Sequence, residues 1–323
     1  MSGMINALVR DARSIAVSGH VRPDGDCVGA CLGLWNYLRK TMPQVRVDVY
    51  LGTYASSFSF LSGEDRILHE PSDEAYDLFI ALDAAAPDRL DVFGPMFRKA
   101  GRRIVIDHHE TNPGYGEENL IEGGASSTCE LLYTLLDESR IDRDCARCLY
   151  LGIVHDTGVF KYPSTTLRTM TIAGRLLEKM EKNDAQFIID ETFHARSFAQ
   201  NKALGVALAS SYLELDGKLI VAAVTKAERE SLGLSAQELD GVIDELRITR
   251  GTEAAVFFYA LDEEDEYKVS MRSQHIGISG LAASHGGGGH EHAAGFDMKG
   301  PWQESARIIT KEIKELIDAW TES

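Results

Sequence analysis

The chain lacks any apolar run approaching the roughly 20 residues that span a bilayer. Its start, MSGMINALVRDARS, has no apolar stretch of the kind found in a signal peptide. These absences argue against a helical membrane protein and set the expected location as the cytoplasm. Cysteine is scarce and odd in number, five in all, which fits reduced thiols in such a compartment. Cys145 and Cys148 form a CxxC with no second pair and no nearby ligand histidine, so they read as two thiols on an amphipathic helix. Cys27 and Cys31, four apart, read as buried helix contacts. Positive charge is also short: 33 Lys and Arg face 50 Asp and Glu, a net charge of -17. A protein that coats long nucleic acids neutralises phosphates with basic side chains, so that class is disfavoured. A short anionic substrate in a local pocket remains open, as does a site whose positive charge comes from metal ions.

What is present has a regular order. A chain of 323 residues, 44% hydrophobic, is long enough for two domains of about 150 residues each. Apolar, β-rich runs recur at 14–20, 45–51, 77–84 and 102–109, with helix-like stretches at 27–40 and 87–100. This alternation predicts an α/β fold with a mainly parallel sheet flanked by helices. A further helix is expected near Ser126, where Ser127 and Glu130 have capping-box spacing, and another over 142–154, ending at HDTG. After a polar, helix-compatible stretch at 186–212, strand runs return as KLIVAAV, AAVFFYAL and YKVSMRS.

The polar residues of the first half gather at strand ends. GHVRPDGDCVGA, residues 19–30, brings His20, Asp24 and Asp26 just after the first strand run. Asp83 ends the third run, and Asp107, His108 and His109 end the fourth. In an open α/β sheet the crevice beyond the carboxyl ends of the strands is where ligands bind. One such Asp is an ordinary helix cap; several on separate strands are hard to assign to capping. Asp156, in the turn HDTG, gains its meaning from this company. Carboxylates and imidazoles without an obvious Ser or Cys nucleophile suit hard or borderline ions such as Mn²⁺. Two such ions about 3.5–4 Å apart stabilise the entering and leaving oxygens of a displacement at phosphorus. They also relieve the repulsion among the carboxylates. The residues alone therefore point to a two-metal phosphoesterase. GGGGHEHAAG, residues 286–295, is not a P-loop, since no Lys-Ser or Lys-Thr follows it. Its glycines let backbone amides approach an anion, and His290 and Arg272 can donate to phosphate oxygens.

The PDGD of residues 23–26, LDA around Asp83, DHHETN at 107–112 and HDTGVF at 155–160 resemble, in order, the four motifs of the DHH phosphoesterases. GGGGHEHAAG resembles the glycine-rich motif of the DHHA1 substrate domain, so the resemblance covers nearly the whole chain. It implies a DHH catalytic domain over 1–185, a helical linker over 186–212 and a smaller α/β DHHA1 domain over 213–323. His20, Asp24 and Asp83 are implied as ligands of one Mn²⁺, and Asp26, Asp83, His108 and Asp156 as ligands of a second, with Asp83 bridging. Mg²⁺ and Co²⁺ are the alternative ions. Asp107 is implied to orient the triplet from behind the ligands, and His109 to face the substrate phosphate. Asp83, Asp107, His108 and His109 are then the catalytic set, while Arg272, Ser273, Gly288, Gly289 and His290 hold the substrate. His155 stands where the family more often carries Thr, and its role is left open between support and local packing. His285 and His292, flanking the glycine run, are left open too.

A chain of this length without membrane helices resembles the branch that cleaves nanoRNA to 5'-mononucleotides and converts 3'-phosphoadenosine 5'-phosphate (pAp) to AMP. The expected partners are therefore short RNA and pAp, and the expected assembly is a homodimer. Cleavage of c-di-AMP or pApA by the same site is the nearest alternative. A RecJ-like single-strand exonuclease lacks support, since no OB-fold-sized addition or basic aromatic channel is present. The glycine-rich motif argues against an inorganic pyrophosphatase, and the complete ligand set argues against a silent nucleotide-binding module.

Overall fold

The structure, a computed structural model, describes residues 3–321 except 240 and 264. The chain divides into two compact units, Met1–Ala195 and Arg196–Ser323. The division falls inside the 186–212 stretch expected as a linker.

In the first unit, six parallel strands form one sheet in the order β3-β2-β1-β4-β5-β6. These are β1 (Ser14–Ser18), β2 (Arg46–Tyr50), β3 (Ile67–Leu68), β4 (Leu78–Leu82), β5 (Arg102–Asp107) and β6 (Glu118–Ile121). The helices are α1 (Met4–Leu8), α2 (Gly25–Thr41), α3 (Gly94–Lys99), α4 (Thr128–Leu135), α5 (Arg143–Asp156), α6 (Leu167–Leu177) and α7 (Asp184–Ile189). Alternation along the strands builds two cores, as expected of a sheet covered on both faces. Ile15, Val17, Ile80, Leu82, Ile104 and Ile106 meet the helical layer of α2, α4 and α5. Ala16, Phe79, Ala81 and Val105 pack with Phe93 and Phe97 on the other side. The expected helix over 87–100 is instead 3-10 turns at Pro87–Phe93, broken at Asp91 with φ 46°, followed by the short α3. Pro87 is tolerated as a first helical residue, but Pro95, eight residues on, lacks the N–H that a continuous helix requires.

Strand register fixes where the polar residues land. Ser18 of β1 pairs with Ala81 of β4, and Leu82 of β4 pairs with Ile106 of β5. The carboxyl ends are therefore level, and the residues just beyond them emerge side by side. Helix α2 begins there because the Asp24 Oδ1 accepts hydrogen bonds from the amides of Asp26 and Cys27. Beyond that cap α2 is buried nearly all round, Cys27 and Cys31 included. It lies against α5 so closely that a Cβ on Gly29 would stand 2.5 Å from the Cys148 carbonyl oxygen. Cys145 and Cys148 are buried in α5, and all five cysteines are free thiols.

The second unit carries a mixed sheet in the order β11-β12-β10-β9-β8-β7, in which β8 and β9 alone run parallel. Its strands are β7 (Tyr212–Glu214), β8 (Leu219–Val224), β9 (Ala254–Ala260), β10 (Glu266–Ser273), β11 (Gly288–His290) and β12 (Ala293–Lys299). Its helices are α8 (Phe198–Ser210), α9 (Lys226–Ser231), α10 (Val242–Arg247), α11 (Ser279–Ser284) and α12 (Trp302–Thr321). Ala306, Ile309, Ile313 and Ile317 recur every three or four residues and seal α12 onto one sheet face. Ala203 and Ala207 of α8 pack with α10 on the other, so this part of the 186–212 stretch belongs to the second core. No described helix is long and apolar enough to cross a membrane. The α/β class, with a parallel sheet in one unit and a second sheet in the other, is as expected.

Candidate metal centre

Beyond the level ends of β1, β4 and β5, the sequence-derived candidates His20, Asp24, Asp26, Asp83, His108 and Asp156 meet. His20 Nε2 lies 3.7 Å from Asp24 Oδ1 and 3.5 Å from Asp83 Oδ2. His108 Nε2 lies 3.1 Å from Asp156 Oδ2, 3.6 Å from Asp83 Oδ1 and 4.0 Å from Asp26 Oδ2. Asp83 thus has one oxygen turned toward each histidine. Its backbone is in the left-handed region, φ 56°, a strained choice for a residue other than glycine that aims the carboxylate between the two.

The supporting hydrogen bonds set which nitrogen faces inward. His20 Nδ1 lies 2.8 Å from the Val21 carbonyl oxygen, so Nδ1–H donates there and Nε2 points at the carboxylates. His108 repeats the arrangement with the Ala125 carbonyl oxygen at 3.4 Å. Asp107, fully buried, accepts from the His108 amide (2.9 Å), the His109 Nδ1 (2.8 Å) and the Asn112 side chain (2.6 Å). It does not join the cluster of ligand-type atoms; it orients the triplet. His109 is half-exposed, with Nδ1 on Asp107 and 3.7 Å from Asp83 Oδ1.

Two supports escaped the sequence reading. Thr128 donates its hydroxyl to Asp83 Oδ1 (3.0 Å), and the amides of Thr128 and Cys129 donate to the two oxygens of Asp26 (2.6 and 2.9 Å). The start of α4 is therefore a cradle for the most buried carboxylate, its end polarity favouring negative charge. Asn112 ties Asp107 to the Ala84 carbonyl oxygen. The capping spacing of Ser127 and Glu130 announces the helix start, and Ser127 Oγ does accept from the Glu130 amide. That signal marks a cap; nothing in it points to the carboxylate the cap receives.

Electrostatics show what the cluster needs. Burial alone pushes the His20 imidazole down, but Asp24 and Asp83 prevail and raise it to about 12. His108 likewise rises to about 10 against its burial, through Asp156, Asp26 and Asp83. Asp26 is pushed well above the carboxylate range, first by burial and then by repulsion from Asp83 and Asp156. Burial also raises Asp156, partly offset by His108. In Asp107 burial acts upward, yet the bonds from His109 and Asn112 hold it low. A crowd of carboxylates that repel one another, braced by imidazoles with their outer nitrogens anchored, fits divalent cations of the oxygen- and imidazole-binding kind. The donor groups His20, Asp83 and Cys27, then Asp83, His108 and His109, and then Asp26, His108 and Asp156 each have one ligand-type atom per residue within 4.8 Å of the others.

The second unit holds the remaining candidates. Arg272, on β10, donates Nε–H to Asp244 Oδ1 (3.0 Å) and an Nη1–H to the Met271 carbonyl oxygen (3.1 Å). Ser273 is buried and donates its hydroxyl to the Ile276 carbonyl oxygen (2.6 Å), with His292 Nδ1 3.2 Å away. Gly288, Gly289 and His290 form the exposed strand β11 beside β12. At Gly289 a Cβ would meet the Ala293 carbonyl oxygen at 2.4 Å, so glycine is required for the pairing itself. His285 is stacked on Phe296 and bonded to Glu312, which gives it a packing role.

Comparison with known proteins agrees with this layout. Residues 14–153 match the DHH family, N-terminal domain, and residues 216–319 match the DHHA1 domain. The chain is 31% identical over 301 residues to the bifunctional oligoribonuclease and PAP phosphatase of Bacillus subtilis (strain 168), covering 92% of each. It is 28% identical over 294 residues to the protein of the same description from Thermus thermophilus, covering 88% of this chain and 84% of the relative. In fold it resembles an exopolyphosphatase-related protein from Bacteroides fragilis, with a TM-score of 0.83 at 24% identity over 96% and 94% of the two chains. With the matched models covering both units and the polar cluster standing where the first one ends its strands, the chain belongs to the DHH/DHHA1 family of phosphoesterases.

Proposed function

We propose that the protein is a Mn²⁺-dependent phosphoesterase that hydrolyses very short oligoribonucleotides to 5'-mononucleotides and dephosphorylates pAp to AMP. The observation that carries this is the end-to-end similarity to the Bacillus subtilis bifunctional enzyme in a chain whose ligand-type side chains converge without a gap. His20, Asp24 and Asp83 would hold one ion, and Asp26, Asp83, His108 and Asp156 the other. Bound there, the ions supply Lewis acidity to a phosphoryl group and lower the pKa of water.

The protein's own residues do the rest. His109, its Nδ1 donating to Asp107, is kept in one orientation, and that carboxylate raises its pKa above the usual imidazole value. Its Nε2–H donates to a non-bridging phosphate oxygen and so positions the phosphorus. Asp107 and Asn112 stop the imidazole from turning. In the second unit, Arg272 and His290 would donate to phosphate oxygens, Gly288 and Gly289 would let backbone amides approach an anion, and Ser273 fixes the turn behind Arg272. The net charge of -17 favours substrates that meet only a local positive site over long chains.

The test is turnover of pAp, pApA, a 5'-labelled RNA trimer and c-di-AMP by the purified protein with Mn²⁺, beside Asp83→Ala. Mn²⁺-dependent release of mononucleotides from the trimer and dimer, and of AMP from pAp, all lost in the variant, is the expected result. Activity confined to c-di-AMP would move the assignment to cyclic-dinucleotide cleavage, and full turnover by a folded Asp83→Ala would remove the metal reading.

A further inference from the structure

Overlapping the two ligand sets just described, a third group of donors shares one carboxylate with each and adds a residue that neither uses. Asp24, His155 and Asp156 each place one ligand-type atom within 4.8 Å of the other two. Asp24 caps α2 and Asp156 ends α5, so the group spans the start of one helix and the last turn of the other. His155 belongs to neither implied ligand set, and the sequence left its role open.

Packing alone holds the ring of His155 in place. Its Cβ, Cγ and Cδ2 lie 2.6–2.7 Å from where a Cβ on Gly25 would stand, so Gly25 of PDGD leaves the room the imidazole occupies. Phe58 packs edge-on at 5.9 Å between centroids, and Phe193 lies tilted at 5.6 Å. Apolar groups thus grip the ring, yet among the described residues neither ring nitrogen makes a hydrogen bond. A histidine serving only as a helix-end cation would turn to the last carbonyls of α5. This one faces two carboxylates.

Those carboxylates each have an oxygen to spare. Asp24 Oδ1 is engaged by the amides of Asp26 and Cys27 and faces His20, and Asp156 Oδ2 faces His108. The second oxygen of each makes no hydrogen bond among the described residues. A carboxylate can bridge two cations with its two oxygens, and one imidazole with two carboxylates is a donor set for Mn²⁺, Fe²⁺, Co²⁺ or Zn²⁺.

The geometry points to a third divalent-cation position, formed by Asp24, His155 and Asp156 and adjoining the pair. It rests on the two-ion reading of the neighbouring site. All three of its residues are only half-buried, whereas each neighbouring set includes buried ligands, and it shares Asp24 and Asp156 with that pair, so it binds the weakest.

The experiment counts metal rather than activity. Full-length protein, stripped by chelation, is equilibrated with increasing Mn²⁺ and the bound metal per chain is determined by dialysis and elemental analysis. Wild type is expected to take up three equivalents, the last the weakest. His155→Ala is expected to stop at two, with the first two affinities changed by less than about threefold. Any third equivalent left in it is weakened at least about tenfold, the scale of losing a ligand-set contact. Thermal unfolding checks that the variant is folded; should His155→Ala fail to fold, His155→Gln decides by the same count. Saturation of wild type at two, or an unchanged third equivalent in the folded variant, overturns the third position. Asp83→Asn separates the two claims: it removes the pair, and a wild type that binds fewer than two equivalents would sink the underlying two-ion reading as well.

Discussion

Thr128 is bound to two carboxylates of the centre at once, its hydroxyl on Asp83 and its amide on Asp26. Replacing it by valine keeps the β-branched shape and the amide, and removes only the hydroxyl bond that fixes Asp83. Groups that orient metal ligands typically contribute 10–100-fold in affinity or activity. Thr128→Val is therefore expected to weaken Mn²⁺ binding about tenfold or more, measured by calorimetric titration, with little change in melting temperature. An unaltered Kd would show that the backbone strain at Asp83 alone aims that carboxylate. His109 makes the complementary case, because it is half-exposed and is not in either implied ligand set. His109→Ala is expected to lower turnover of the RNA trimer by about 100-fold, the low end of what a positioned proton donor contributes, while Mn²⁺ stoichiometry is unchanged. Equal loss of metal would place it among the ligands instead.

The helices carry the centre through their packing. A Cβ on Gly152 of α5 would come within 2.5 Å of Asp26 Oδ1 and 2.3 Å of Cys129 Sγ. Gly152→Ala thus overfills the seam where α2, α4 and α5 meet, an insertion that costs about 1–3 kcal/mol, and it displaces the Asp26 carboxylate from its amides. The expected outcome is a lower unfolding midpoint together with weaker Mn²⁺ binding. Gly29→Ala, which presses on the Cys148 carbonyl instead, should lose stability with a smaller effect on the metal; equal metal affinity in both variants would contradict the assignment of Asp26. At the other end of α5, Arg143 donates two hydrogen bonds to Asp184 at the start of α7 (2.8 and 2.9 Å), bringing that carboxyl from its ordinary 3.8 down to about 2. A carboxylate depressed in the folded state stabilises fully above its unfolded value and loses that contribution as pH falls through its folded value. Discounted for the partly exposed arginine, the contribution is about 1–2 kcal/mol. Asp184→Asn should lower stability by that amount at pH 7, and the gap between wild type and variant should close between about pH 4 and pH 2 in denaturant titrations.

For the whole molecule, the acidic cluster couples folding to metal. Carboxylates brought together by folding repel one another, and cations that bind only the folded centre stabilise it by RT ln(1 + [L]/Kd), about 2.7 kcal/mol at a hundredfold excess over Kd. For a unit of this size that corresponds to roughly 5–10 °C. Mn²⁺ should raise the melting temperature over a chelated sample by that much, and Asp83→Ala should abolish the increment. A metal-independent melting curve would mean that the centre is too loose or too protonated to hold an ion. The two units have separate cores, one centred on Ile15, Ile80 and Ile106 and another on Val221, Val256 and Phe296.

The sequence by itself determined the class of fold and the cast of the centre. Strand periodicity and intervening helices dictate a parallel sheet, and a parallel sheet dictates that residues after its strands share one edge. That is why His20, Asp83 and the Asp107 triplet could be read as a group from their positions alone. The tertiary structure decided what comes from far along the chain. Thr128 reaches Asp83 across 45 residues and Asp26 across 102, distances at which a helix cap carries no sign of its partner. Pro95 and the left-handed Asp91 turned an expected helix into short turns, since apolar spacing does not register a missing amide. The stretch at 186–212 is helix-compatible but shows no apolar stripe that would assign it to a core, and only packing against the second sheet gave Ala203 and Ala207 to one. His155, ambiguous as a letter in the chain, faces Asp24 because α2 and α5 approach closely enough for Gly25 to admit its ring. Local pattern specifies which residues stand at an edge; close packing between helices determines which of their atoms meet.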